Sequence, residues 1–242
     1  MKSQHILKAT AVFIVLSLIF CIFHFQNNKI TPVFLPYVFP CKTLIIDAGH
    51  GGEDGGAVSA NGTVESRINL DIALRLNALA GLCGMNSFLL RDSDISLHDV
   101  GCETIRQKKV SDLHNRVKMI EETNDAVLIS IHQNIFQNPK YRGAQVFIGK
   151  NRTSPVFAQI MQDTISQLDP SNKRVPAPIP KSVYLMNHIS CPAILVECGF
   201  LSNPEEEALL QTSNYQTKLA MAMTSSYIKY CNQNTEEGEF PK

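Results

Sequence analysis

Residues 44–56 read LIIDAGHGGEDGG, an apolar run that gives way to a histidine, His50, among five glycines. Leu44, Ile45 and Ile46 are too few for a helix and are bounded by turn residues, so a buried strand is expected there. His50 then stands at the strand's exit. The glycines around it remove side-chain bulk and permit positive φ, so that backbone and substrate can come close to whatever the imidazole holds. The acids Asp47 and Asp54 lie within four residues of it, as does Glu53. Taken alone, the stretch is equally well a glycine-rich turn that happens to carry a histidine, and the rest of the chain has to decide.

The chain has 242 residues, enough for one α/β domain with a sizeable core and short appendages. Lys plus Arg and Asp plus Glu both number 22, so there is no basic field to attract nucleic acid, and a partner has to be won by a local site. Ahead of the domain, Lys2 and Lys8 precede an uncharged run from Ala9 to Phe25. As a helix this run spans about 25 Å at ~1.5 Å per residue, a little short of a ~30 Å hydrocarbon core but workable with its flanks. Residues 1–26 are therefore expected to be a membrane anchor, with the basic residues keeping the N-terminus in the cytoplasm and the bulk of the chain outside. The rival is a signal peptide, but no small-x-small cleavage site follows the run. Residues 27–41, with Pro32, Pro36 and Pro40, read as an extended tether, residues 42–231 as the domain and residues 232–242 as a disordered tail. Cys21 lies in the apolar run. The six remaining cysteines are scattered without a C-x-x-C pair, so free, mostly buried thiols are expected rather than zinc-binding cysteines.

Along the domain, helices and strands alternate. Glu65 opens a segment in which Ile68, Ile72, Leu76 and Leu79 recur at helical spacing. An acid at a helix N-terminus often does no more than complement the dipole. A short strand SFLL at 87–90, a polar loop to about Lys109 and a helix from Ser111 to Glu122 follow, then a second apolar strand, AVLISI at 126–131, which ends in His132. A strand from Gly143 to Ile148, a helix capped by Ser154-Pro155 and reaching Leu168, a proline-rich loop at 169–181 suited to a cleft wall, and an edge strand at Val183–Leu185 are expected next. The buried strand AILV at 193–196 ends in Glu197, where burial raises a carboxyl pKa. Asn203-Pro204-Glu205-Glu206 is a complete helix start, and a last helix begins near Asn214. The pattern describes a single α/β domain with a twisted, largely parallel or mixed sheet and helices on both faces.

Three strands thus end in His50, His132 and Glu197, the carboxyl ends where open α/β sheets collect ligands, and Glu65 starts the helix after the first. Two histidines and a carboxylate with an open fourth position suit a catalytic Zn2+. Such an ion lowers the pKa of bound water to about 7 and polarises a carbonyl, while a second carboxylate moves protons, which is the chemistry of amide hydrolysis. Which glutamate binds metal and which moves protons stays open on these grounds. Among other residues, His98 and His114 are expected to face solvent, while His188 is a candidate for the cleft wall and Arg91 and Asn134 are candidates for substrate contact, each against the ordinary reading of a loop or strand-end residue without a site role.

The segments IIDAGHGGEDGGAV, Glu65, ISIHQN and ILVECGFLSNPEEEALL, in this order, resemble the zinc-dependent N-acetylmuramoyl-L-alanine amidases of the Amidase_3 family, from about Thr43 to Tyr230. The resemblance implies a twisted sheet between helices, zinc held by His50, Glu65 and His132, and Glu197 as the catalytic glutamate. It implies hydrolysis of the amide between the lactyl group of N-acetylmuramic acid and L-alanine in peptidoglycan. Ala48 stands where the family commonly has proline and Ser66 where a basic residue often follows the glutamate. The layout of short anchor, proline tether and lone catalytic domain is similar to the germination-specific amidases of endospore formers. That similarity implies work on spore cortex toward muramic δ-lactam with a downstream muramic acid deacetylase, at the cell wall or in the forespore intermembrane space. The alternatives are a general cell-wall amidase in separation or turnover, a zinc aminopeptidase or carboxypeptidase, and a glycan-binding domain without catalysis. The last need not have kept both histidines and both glutamates.

Overall fold

The three apolar runs lie side by side at the centre of one six-stranded sheet in the computed structural model, which describes residues 42–236. β1 (Thr43–Ala48), β3 (Ala126–Asn134) and β6 (Ala193–Phe200) are parallel neighbours, with Ile46 opposite Ile129 and Ile131 opposite Val196. Strands covered on both faces read as continuous apolar runs, and these do. β2 (Ser87–Leu89) adds a parallel strand outside β1. On the far side β4 (Gln145–Ile148) runs antiparallel to β6 and carries the short edge strand β5 (Ala177–Pro178) parallel to itself, so the order is β2-β1-β3-β6-β4-β5.

Alternate residues of each strand face opposite sides. Leu44, Ile46, Ile129, Ile131, Ile194 and Val196 pack against α1 (Glu65–Leu82), α3 (Ser154–Ile165) and α6 (Ser213–Glu236), through Ile68, Ile72 and Leu76, Phe157 and Met161, and Leu219, Met223 and Tyr227. Ile45, Leu128 and Leu195 face the other way, toward Val117 and Ile120 of α2 (Ile105–Glu121) and Leu185 and Met186 of the single-turn α4 (Tyr184–Asn187). Asp47, Ser130, His132 and Glu197 share the parity of this second face. The sheet therefore has helices on both faces, as the sequence implies.

The structure departs from the sequence reading at several ends. β3 and β6 continue through His132 to Asn134 and through Glu197 to Phe200, so both site residues lie within their strands rather than beyond them. Val183–Leu185 is no edge strand: α4 begins at Tyr184 and buries Leu185 and Met186, and the edge position belongs to β5. α2 starts at Ile105, because the Thr104 hydroxyl accepts from Gln107 N–H and the Gln107 side chain accepts from Thr104 N–H in a capping box. Ser154 does not cap α3; its hydroxyl accepts from Ala193 N–H, while Thr153 takes the cap position and a 3-10 turn closes the helix at Ser166–Leu168. The start Asn203-Pro204 is as expected, the Asn203 side-chain Oδ1 accepting from the N–H groups of Glu205 and Glu206 at the head of α5 (Pro204–Leu210). α6 continues to Glu236, past Cys231 where the sequence places the domain's end. Cys83, Cys102, Cys191 and Cys198 carry free thiols, and of the described cysteines only Cys198 and Cys231 are buried. The anchor, the tether, Cys41 and residues 237–242 lie outside the described residues, and no described helix is long and apolar enough to cross a membrane.

Candidate active site

β1 ends at Ala48, and His50 follows with a φ of 62°, a left-handed conformation that costs a non-glycine residue about 1–3 kcal/mol and persists only where its surroundings enforce it. Two neighbours leave no room for side chains. A Cβ on Gly49 would lie 2.3 Å from the His132 ring, and one on Gly56, at φ 69°, would lie 2.5 Å from Glu65 Oε2 and 2.7 Å from the His50 ring. The glycines of the opening stretch are thus the condition for the close approach of three functional side chains.

Glu65 is the first residue of α1 and only 3 % exposed. Its carboxylate accepts from the backbone N–H of Gln133 (3.0 Å) and of Ala57 (2.8 Å), which orients it, and lies between two imidazoles. His132 Nδ1 is 3.0 Å from Oε1, and His50 Nε2 is 3.4 Å from Oε2. One ligand atom from each of the three lies within 4.8 Å of the other two. Tetrahedral ligands about 2.0–2.2 Å from a zinc ion lie about 3.3 Å apart, so the donor set fits that ion in type and in spacing. The other nitrogen of His50, Nδ1, meets Asp54 Oδ2 at 3.0 Å, the carboxylate that fixes a ligating histidine's tautomer and ring direction.

Electrostatics follow from this crowding. Burial opposes charge on His50, but the carboxylates of Asp54 and Glu65 prevail and raise its pKa to about 9. Burial likewise opposes ionisation of Glu65, and its contacts with His132 and His50 hold it far below the usual carboxylate range. Glu197 behaves in the opposite sense. Burial, together with the nearby Glu65 charge and against His132 and His50, pushes it up to about 7, and its Oε2 is buried without a hydrogen-bond partner. Glu197 pairs in register with His132 on the parallel neighbour strand, so both side chains leave the sheet on one face.

A cavity of about 210 Å³ opens beside the imidazoles. It is lined by Asp47 of β1, Ser130 of β3, Lys109, Leu113 and Arg116 of α2, and residues Ser182 to Met186. The proline-rich loop ends just before that wall and does not itself line the cavity. His188 is exposed and stacked on Tyr184 rather than facing the cleft, His114 is exposed as expected, and His98 is only partly so. Arg91 is no substrate contact: it is buried and donates to the carbonyls of Ala48, Gly49 and Ser66. Asn134 spends its carbonyl on Leu201 N–H and does not line the cavity. Sequence reasoning missed Arg116, for which a polar position on a helix offers no signal, and left Asp54 without a role although it lies four residues from His50.

A family model described as N-acetylmuramoyl-L-alanine amidase, Amidase_3, matches residues 44–228. A germination-specific N-acetylmuramoyl-L-alanine amidase of Bacillus subtilis is 34% identical over 95% of this chain and 94% of its own length. The amidase AmiA of Escherichia coli is 27% identical over 78% of this chain and 76% of its own. Among solved structures, the CwlD amidase of Clostridioides difficile, in complex with the GerS lipoprotein, superposes with a TM-score of 0.76 at 38% identity, covering 79% of this chain and 99% of that one. The chain therefore belongs to the Amidase_3 family, the N-acetylmuramoyl-L-alanine amidases, and is an amidase of peptidoglycan.

Proposed function

We propose that the chain is a zinc-dependent amidase of spore cortex, with His50, Glu65 and His132 as metal ligands and Glu197 as the proton-transferring residue. The observation that carries this is the convergence of two imidazoles on the Glu65 carboxylate, with a carboxyl on the adjoining strand, Glu197, whose Oε2 is buried without a hydrogen-bond partner. When bound, zinc supplies a Lewis acid for the scissile carbonyl and lowers the pKa of water. The chain's own groups do the rest. Glu65 and the two histidines hold the ion, and Asp54 keeps His50 Nε2 turned inward. Glu197 takes a proton from the attacking water and returns it to the departing amine of L-alanine, so that the C–N bond breaks and the lactyl carboxylate forms. Burial, which raises the Glu197 carboxyl above the ordinary carboxylate range, favours a group that must both accept and release a proton.

Preference for cortex is supported by the germination-specific relative, whose match runs over nearly the full length of both chains, and by the likeness to CwlD. In that setting the product passes to a muramic acid deacetylase that forms the δ-lactam. Residues 1–26 anchor the chain in the membrane and residues 42–231 work outside the cytoplasm, from the apolar run and the lysines before it. The lipoprotein in the CwlD complex makes a lipoprotein at the same membrane face the first partner to look for. The test is incubation with purified cortex and vegetative peptidoglycan, with and without zinc, followed by identification of new termini. Free L-alanine amino termini, faster on cortex, are expected. New glycan ends or released C-terminal amino acids would refute the reaction, and equal rates on both substrates would refute the preference.

A further inference from the structure

We propose that Arg116 is a positioning residue for the metal ligand His50, acting through the backbone; this rests on the zinc reading above. Arg116 is 2 % exposed and lines the cavity from α2. A guanidinium has five N–H donors, and here each has an acceptor. Nε and one Nη2 proton go to Asp112 at 2.7 and 3.3 Å, and one Nη1 proton goes to Asp47. The remaining two go to main-chain carbonyls, Ala48 from Nη1 at 3.0 Å and His50 from Nη2 at 2.7 Å.

The last contact falls on the residue that least wants its conformation. His50 is left-handed, and relaxation of its φ toward the ordinary regions would swing the imidazole away from Glu65. A charge-assisted hydrogen bond to its carbonyl resists that rotation. Arg91 works beside it, donating from Nε to Ala48 O at 2.8 Å and from Nη2 to Gly49 O at 3.1 Å. Three consecutive carbonyls, those of residues 48 to 50, therefore end on guanidinium groups. Stability alone is a weak reason for this arrangement, because buried ion pairs are often matched by apolar residues of like volume, and the two arginines repel each other. Placed under a strained ligand, the same groups have a specific task.

The test measures zinc affinity of the full chain by competition with a chelator, alongside melting of the zinc-free protein. Arg116→Lys keeps the charge, but one ammonium cannot serve Asp47, Asp112 and the His50 carbonyl together. Its zinc affinity is expected to fall on the order of 10- to 100-fold, the usual effect of removing support behind a ligand. With zinc saturating, kcat falls and KM for peptidoglycan holds. Asp112→Asn loosens the anchor of Arg116 while leaving the His50 carbonyl contact in place, and is expected to show a smaller loss in the same direction. It carries the test should Arg116→Lys fail to fold. Leu219→Ala, in the core on the opposite side of the sheet, lowers melting without changing zinc affinity. Wild-type zinc affinity in whichever Arg116 or Asp112 variant folds overturns the role. So does a loss no larger than Leu219→Ala shows at equal destabilisation. A wild-type chain that binds no zinc removes the zinc reading and this inference with it.

Discussion

Glu65 and Glu197 are chemically identical and near one another, yet their surroundings push them to opposite ends of the carboxylate range. Substitution by glutamine should separate them. Gln matches Glu in shape but takes no proton at neutral pH, so Glu197→Gln should retain fold and zinc while kcat falls by about 10² to 10⁴. Glu65→Gln replaces an anionic ligand with a weak neutral one, so zinc affinity should fall and part of the lost activity should return at raised zinc. Zinc content by metal analysis and rates at saturating metal check both; zinc loss in Glu197→Gln instead would mean the two roles are exchanged. At this scale the sequence is informative where a polar residue interrupts apolar monotony, as His50, His132 and Glu197 do. Arg116 had no such contrast, and its partner Asp47 lies 69 residues away in the chain.

Between elements, the contact of Arg116 with Asp47 ties α2 to β1, and Ser130 of β3 joins it through Asp47 Oδ2 at 2.7 Å. Burial opposes the Asp47 charge, but Arg116, His132 and the Ser130 hydroxyl together hold its pKa below the ordinary value. The sign follows. A depressed folded pKa gives stability that is fully present above the unfolded value near 3.9, and this is lost as pH falls through the lower folded value. Denaturant midpoints measured from pH 6 to 2 should therefore drop less steeply in Asp47→Asn than in the wild type, although the variant starts lower. Equal slopes would show that Asp47 contributes nothing to acid unfolding. The extent of the elements was only partly legible. β3 continues past Ile131 because β6 pairs with His132 and Asn134, across an irregularity at Gln133, and not because these residues are apolar. Tyr184–Asn187 is one helical turn whose burial against the second face decides its form, and four residues are too few for a period to show. The start of α2 was written in Thr104 and Gln107, a cap that the search for apolar spacing passes over.

For the molecule as a whole, the anchor reading predicts that the full chain sediments with membranes and dissolves only in detergent, and that protease added outside wall-stripped cells digests the domain. A mature N-terminus mapped beyond Phe25 would show cleavage instead. The fold class was legible throughout, because alternating apolar runs and helical periods leave few architectures open. Strand order was not, since nothing local in AILV says that it enters between β3 and β4. That insertion has a consequence in time. The ribosome makes β1 to β5 before β6, so until the last strand arrives β4 has no neighbour that joins it to β3, and the sheet waits in two pieces. His50, Glu65 and His132 all belong to the earlier piece, whereas Glu197 travels on the late strand. Closure of the sheet and arrival of Glu197 are one event, so on the proposed roles a chain that stops short of Ala193 carries all three candidate metal ligands and lacks the proton-transferring group.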